Sequence, residues 1–311
     1  MEISKNEEYI FLENYAIRMA EWLIEIQMKD GAFPGGLYYN YKKGEKSIFN
    51  TAQIMLGLIE AWQRTNEKKY IDSAYKAMKW LSSEQEKDGS WIRYNYNENF
   101  FPSYYTRVAW PMLQTAIITE DKNSKMSAIK TLDLINNRVK KNSFIQNSGF
   151  SPNSYAFLHT IAYTIRGFLE SYLLINKEEY FNTAFNLAYK FMRKYELRKR
   201  LAGAYYENFE EINWYRCLTG EAQISIIWFK IFALTNDVRF VSAASKLLDD
   251  TSAQQPLKNT LFLKAGGLKG SQPYYGRYIA FRQPNWATKF YIDALLLEDK
   301  AYKKITKVLN L

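Results

Sequence analysis

The sequence predicts an all-α chain built from repeated helical hairpins, on three observations. Apolar residues recur at i, i+3, i+4 and i+7 along almost the whole length, and no alternating stretch is long enough for a convincing strand. A unit of about 50 to 60 residues repeats, the kind of period that fixes an architecture before any single element does. Short turns and long aromatic loops alternate between the predicted helices.

The elements follow in order. A first helix, roughly Glu8 to Met28, stands without a hairpin partner. The clearest repeats are FNTAQIMLGLIEAWQRTNEKKYIDSAYKAMKWL from Phe49 and TGEAQISIIWFKIFALTNDVRFVSAASKLL from Thr219. Each carries AQ at its start, continues as an apolar helix, breaks at Thr-Asn and resumes as an amphipathic helix. Asn66 and Asn236 are natural capping residues for those breaks. Looser copies start at Tyr104, Tyr155 and Pro284, giving five hairpins. In each, the first helix is apolar on nearly all sides and the second only on one, so the first should be inner and the second outer. Two concentric rings of helices, an α/α toroid of five to six hairpins with ring closure left open, satisfy this pattern within a single domain, 1–311.

The inner-to-outer turns are short, at Thr65 to Glu67 and Thr235 to Asp237. The outer-to-inner loops are long: Gly31 to Ser47, Gly89 to Ser103, Ser143 to Ser154, Leu201 to Tyr215 and Thr251 to Gln283. They should gather over the N-termini of the inner helices, where a rigid scaffold usually carries its binding site. More than half of the 25 tyrosines fall there, including Tyr38, Tyr39 and Tyr41, and candidate ligand contacts are Trp91, Tyr94, Tyr206, Trp214 and Tyr275. Rings with polar edges suit a ligand that has apolar CH faces and many hydroxyls, which describes sugars. Basic residues share the loops, among them Lys42, Lys43, Arg216 and Arg277, and the net charge is +10. The expected partner is therefore an anionic saccharide, with a phosphorylated lipid as the alternative. The lysines and arginines form no tract of the kind that binds nucleic acid, so none is expected as partner.

Single copies of Cys (Cys217) and His (His159) exclude a disulfide framework and the common zinc constellations. No metal or other cofactor is expected. No run approaches the roughly 18 apolar residues of a membrane span, and the N-terminal stretch lacks an apolar signal core, so the expected compartment is cytoplasmic.

His159, Tyr163 and Arg166 share one face of an inner helix, where they could shuttle a proton and neutralise a carboxylate. Asn50 with Gln53, Tyr105 with Arg107, Glu221 with Gln223, and Asn285 with Lys289 begin other inner helices near the same mouth. Proton abstraction beside a uronate carboxylate would use His159, Tyr163 or Tyr105 with Arg107. Glycoside hydrolysis would instead need two carboxyl groups, Glu221 with Glu207, Glu210 or Glu211.

Over essentially the whole chain the hairpin pattern resembles the α/α-toroid carbohydrate-active superfamily: six-hairpin glycosidases, toroid polysaccharide lyases and the helical domain of glucuronyl C5-epimerases. The segments FNTAQ, HTIAY, CLTGEAQ and PNWATKF are also similar to proteins associated with surface-polysaccharide gene clusters. The resemblance implies a lyase, epimerase or hydrolase of polysaccharide metabolism. Its lyases take Asn, His, Tyr and Arg from the barrel mouth, which here would be Asn50 or Asn285, His159, Tyr105 or Tyr163, and Arg107.

KAMKWLSSEQEKDGSW, ending at Trp91, resembles the QW repeat of terpene cyclases, which share the toroid. A second copy, RMAEWLIEIQMKDGAF, ends at Phe33. The acidic DxDD and DDxxD clusters of those enzymes are absent, the nearest stretch being LLDDTSA from Leu247. Gln27, Gln85 and the glycines after them therefore read as fasteners of outer-helix ends, and Asp30 and Asp88 as turn residues. An isoprenoid enzyme and a non-catalytic saccharide-binding protein are the alternatives to a sugar enzyme.

Overall fold

The structure is a computed structural model that describes residues 7–36 and 44–309. Tyr38, Tyr39, Tyr41, Lys42 and Lys43 lie outside the described residues. The chain divides into two compact units: residues 1–101 with 105–134, and residues 102–104 with 135–311.

The first unit holds α1 (Glu7–Ile26), α2 (Ile48–Thr65), α3 (Lys68–Ser83), α4 (Thr106–Ile118) and most of α5 (Lys122–Asn136). α2 packs against both α3 and α4, and α1 lies against α2 and α3. The QW-like ends work as fasteners. Gln27 Nε2 donates to the carbonyls of Gly31 and Ser73, each at 3.0 Å, while Ser73 Oγ donates back to Gln27 Oε1 at 2.7 Å. One helical step on, Gln85 Nε2 donates to the Ser127 carbonyl at 3.1 Å and to Thr131 Oγ1 at 2.7 Å. Each glutamine thus ties the end of one outer helix to the middle of the next. Gly31 and Gly89 turn the chain at φ +99° and +97°, and a Cβ on either would stand 2.3 Å from the Lys76 carbonyl oxygen or 2.8 Å from Lys130. Only glycine fits both demands.

The same turn occurs a third time, where the sequence hides it. Lys140 N–H donates to Phe144 O, as Met28 does to Ala32 O and Glu86 to Ser90 O, and Asn142 Oδ1 accepts from Phe144 N–H as the Asp30 and Asp88 carboxylates do from Ala32 and Ser90. Valine replaces the glutamine, and Ser143 takes the glycine position at φ +69°. A side chain in that region costs about 1 kcal/mol. Ser143→Gly is therefore expected to raise the melting temperature by a few degrees; an unchanged or lower value would show the turn to be unstrained.

The second unit holds α6 (Leu158–Ile175), α7 (Glu178–Arg198), α8 (Leu218–Thr235), α9 (Val238–Ser252) and α10 (Asn285–Leu309). α8 is buried on every side, whereas α9 buries a single stripe containing Phe240, Ala244, Leu247 and Leu248. α6, α8 and α10 run side by side, with α7 and α9 packed behind them. Asn66, Asn176 and Asn236 all end first helices in the left-handed conformation, their N–H groups closing on the carbonyls of Trp62, Tyr172 and Phe232.

One expectation needs correction. The segment from Pro284 is one 25-residue helix, not a fifth hairpin. It contains no Thr-Asn break, and the i,i+4 pairs Lys289–Asp293 and Lys303–Asp299 carry it through. The long loops also hold five two-residue strands: β1 (Ala156–Phe157), β2 (Ala204–Tyr205), β3 (Glu211–Ile212), β4 (Arg216–Cys217) and β5 (Ser271–Gln272). β1-β2-β3 and β4-β5 form two small antiparallel sheets.

Candidate functional site

In the second unit, β4-β5 pairing and the first turns of α6, α8 and α10 bring three helix starts together. Gly220 on α8 has no room for a side chain, since a Cβ there would lie 2.7 Å from the His159 backbone nitrogen and 2.8 Å from the Leu158 carbonyl carbon. That contact seats His159 against the first turns of α8. The His159 ring packs on Tyr163 at 4.2 Å, on Tyr278 at 5.0 Å and on Phe290 of α10 at 6.4 Å between centroids. Gln223 Nε2 stands 2.5 Å from His159 Nδ1 and also donates to the Thr219 carbonyl at 3.2 Å. The second bond fixes the amide's orientation, so Nδ1 accepts and the neutral ring carries its proton on Nε2. Burial holds the Tyr278 phenol far above its ordinary pKa, so it stays neutral, and its oxygen accepts from Trp286 Nε1 at 3.0 Å.

Ring contacts lead outward from this group: Tyr278 touches Phe157, Phe157 touches Tyr155, and Tyr155 touches Tyr206. At the surface Trp214 and Tyr275 stack at 6.3 Å with planes 17° apart, and they are 47% and 61% exposed. The Arg277 guanidinium lies 5.5 Å from the Tyr155 ring and 5.9 Å from the Trp214 ring. Among the described residues no carboxylate pairs with it. A guanidinium held by two rings and left without an acid is ready to receive an anionic ligand. Arg277 and Tyr278 sit in YYGRY, where an arginine flanked by tyrosines is the signal that singles them out.

The remaining candidates of this unit are differently placed. Arg216 grips Glu221 through both carboxylate oxygens, at 2.8 and 2.7 Å, and Thr251 Oγ1 donates to Glu221 Oε2 at 3.2 Å. Glu221 is fully buried, and burial pushes its carboxyl up while Arg216 restrains it. Arg166 pairs with Glu170, which also receives Lys230 at 2.8 Å. Lys289 pairs with Asp293 at 2.5 Å, and Asn285 opens α10 in an exposed position. Glu211 is gripped by Lys194 at 2.7 Å and by Arg198, while exposed Glu210 accepts from the Asn208 side chain at 3.5 Å.

Glu207 meets Lys140 at 2.6 Å and accepts from Asn147 N–H at 3.0 Å. Burial alone would raise its carboxyl, but these partners together hold it below the ordinary range. Its contribution to stability is present above the ordinary carboxylate pKa and is lost as pH falls through the lowered folded value. The stability gap between wild type and Glu207→Gln should therefore narrow on acidification below about pH 4, as thermal melts at several pH values would show. A gap that stays constant would exclude an ionic origin.

In the first unit, Gln53 and Arg107 clamp each other. Gln53 Oε1 accepts from Arg107 Nη2 at 2.8 Å, and Gln53 Nε2 donates to the Arg107 carbonyl at 2.8 Å. The buried guanidinium lies 4.9 Å from the Trp110 ring. Trp91 and Tyr105 are core residues, donating respectively to Leu81 O at 2.9 Å and to Asn95 Oδ1 at 2.7 Å. Asn50 is half-buried, its backbone N–H bound to Ser47 Oγ at 3.2 Å. Tyr94 lines a cleft of about 650 Å³ with Lys46, Glu45, Tyr96 and Glu98. Among the described residues no group of three or more His, Cys, Asp or Glu side chains could hold a metal ion, and no helix is long and apolar enough to cross a membrane.

Residues 21–119 match the family described as D-glucuronyl C5-epimerase C-terminus. A search of curated proteins finds no match. Among solved structures, an unsaturated glucuronyl hydrolase specific for heparin superposes with a TM-score of 0.71 at 15% identity, over 97% of this chain and 83% of that one. Cellobiose 2-epimerase from Bacillus thermoamylovorans B4167 gives 0.70 at 16% identity over 95% and 83%. The unsaturated glucuronyl hydrolase from Bacillus sp. GL1 gives 0.70 at 13% identity over 95% and 81%. The chain shares the α/α-toroid fold of these hydrolases and epimerases.

Proposed function

We propose that this protein is a carbohydrate-active enzyme that acts on an acidic saccharide by moving a proton at a carbon next to a carboxylate, as an epimerase or lyase does. The observation that carries the reading is the ring-held Arg277, which pairs with no carboxylate among the described residues, beside the exposed Trp214–Tyr275 stack. The rings would cover a sugar's CH face, and the guanidinium would take its carboxylate. Behind them His159 offers an Nε2–H donor, and Tyr163, packed on it, would take the substrate proton as its phenolate, its own proton having first passed to solvent. The epimerase family match and the sugar-processing enzymes that share the fold support the same substrate class. Two-carboxylate hydrolysis is disfavoured because Glu207, Glu211 and Glu221 are each held by a basic residue. An isoprenoid reaction lacks its acidic clusters.

Two measurements test this. Uronate oligosaccharides incubated with the protein in deuterium oxide should gain deuterium at C5, whereas hydrolysis would cleave the chain and leave that proton in place. Arg277→Ala should weaken binding of a uronate oligosaccharide about tenfold or more, with little effect on its carboxyl-reduced analogue. Stabilisation by an isoprenoid diphosphate and by no acidic saccharide would sink the proposal.

A further inference from the structure

The connection between α9 and α10 has a composition unlike the rest of the chain. From Thr251 to Ile292 there is no Asp or Glu, yet Lys258, Lys264, Lys269, Arg277, Arg282 and Lys289 all lie within it. At its tip Leu257, Leu261, Phe262 and Phe281 are 86%, 89%, 74% and 67% exposed.

This tip is a loop knit together by its own hydrogen bonds. Gly266 N–H closes on Pro256 O at 2.9 Å, Thr260 N–H on Leu263 O at 2.8 Å, and Ala265 N–H on Asn259 Oδ1 at 2.9 Å. Gln283 anchors it to the start of α10, donating to Lys264 O at 2.8 Å and Gly267 O at 2.6 Å while accepting from Lys264 N–H at 2.7 Å. Tyr274 joins the two apolar halves, donating from its hydroxyl to Phe262 O at 3.3 Å and packing its ring on Phe281 at 5.8 Å. Backbone bonding holds the loop and Leu268 is buried beneath it, while Leu257, Leu261, Phe262 and Phe281 remain largely exposed.

We propose that this loop docks the protein on an anionic lipid bilayer, with Leu257, Leu261, Phe262 and Phe281 entering the interface and Lys258, Lys264 and Arg282 meeting the headgroup phosphates. Aliphatic and phenyl groups gain by leaving water, and exposed lysines that pair with no carboxylate among the described residues gain from the negative surface potential. A polyanionic saccharide would supply the charge but would gain nothing from the leucines, so the side-chain chemistry favours lipid.

The test is co-sedimentation of the intact protein with phosphatidylcholine vesicles, with and without phosphatidylglycerol. Binding to the mixed vesicles, weakened by salt and reduced about tenfold or more in Leu261→Ser/Phe262→Ser, is the expected result. Both sites are exposed, so the variant should melt with the wild type. No binding to the mixed vesicles would overturn the proposal. So would equal binding by the variant, which would leave charge alone responsible. A concentration-dependent dimer abolished by the same substitutions would also overturn it, assigning the face to a second copy of the chain.

Discussion

Arg216→Met is expected to destabilise the protein by about 3–5 kcal/mol, because it leaves the Glu221 carboxylate buried with only the Thr251 hydroxyl for company. The loss should depend on pH in a direction the structure fixes. Burial pushes the Glu221 carboxyl above its ordinary value even with Arg216 in place, and the variant removes the one strong restraint. Its folded pKa then lies above the unfolded one, so stability is present below the unfolded carboxylate pKa and is lost as pH rises through the folded value. Urea denaturation across that range should find the deficit largest at neutral pH and smallest in acid. Arg216→Met/Glu221→Leu should recover most of the loss, since apolar groups of similar volume carry no desolvation penalty. A deficit independent of pH, or a double variant no better than the single, would show that the pair is not what the substitution breaks.

The same pair shows what a sequence can and cannot announce. Glu221 lies at a helix start near the mouth, which makes it a reasonable candidate acid. Its partner is five residues earlier in a loop, and only β4-β5 pairing turns Arg216 back onto it. Periodicity reports local faces well, so inner and outer helices, their asparagine caps and the QW-like fasteners were legible. It fails where a signal is carried by something else. The third fastening turn uses Asn142 and Ser143 in place of Asp and Gly, and only backbone geometry reveals it. The Pro284 segment has the apolar density of the other repeats but lacks their breaker, so it continues as one helix. Arg277 was visible as one basic loop residue among many. Its significance comes from two rings, Tyr155 and Trp214, that are far away in sequence.

Gln223→Glu is expected to abolish activity about as fully as His159→Ala, by some 10²- to 10⁴-fold, although it changes a residue that need not touch substrate. The amide of Gln223 keeps the proton on His159 Nε2. A carboxylate in its place accepts instead of donating, so it draws the ring proton to Nδ1 and turns Nε2 from donor to acceptor. His159 is the only histidine in the chain, so a protein labelled with ¹⁵N-histidine gives one pair of ring resonances that reads the tautomer directly. The wild type should show Nε2 protonated and the variant Nδ1 protonated. His159→Gln, which can still present an N–H, should retain more activity than His159→Ala. If the tautomer switches while turnover of an acidic saccharide is unchanged, His159 does not act as an Nε2 donor, and proton transfer must rest on Tyr163 without it.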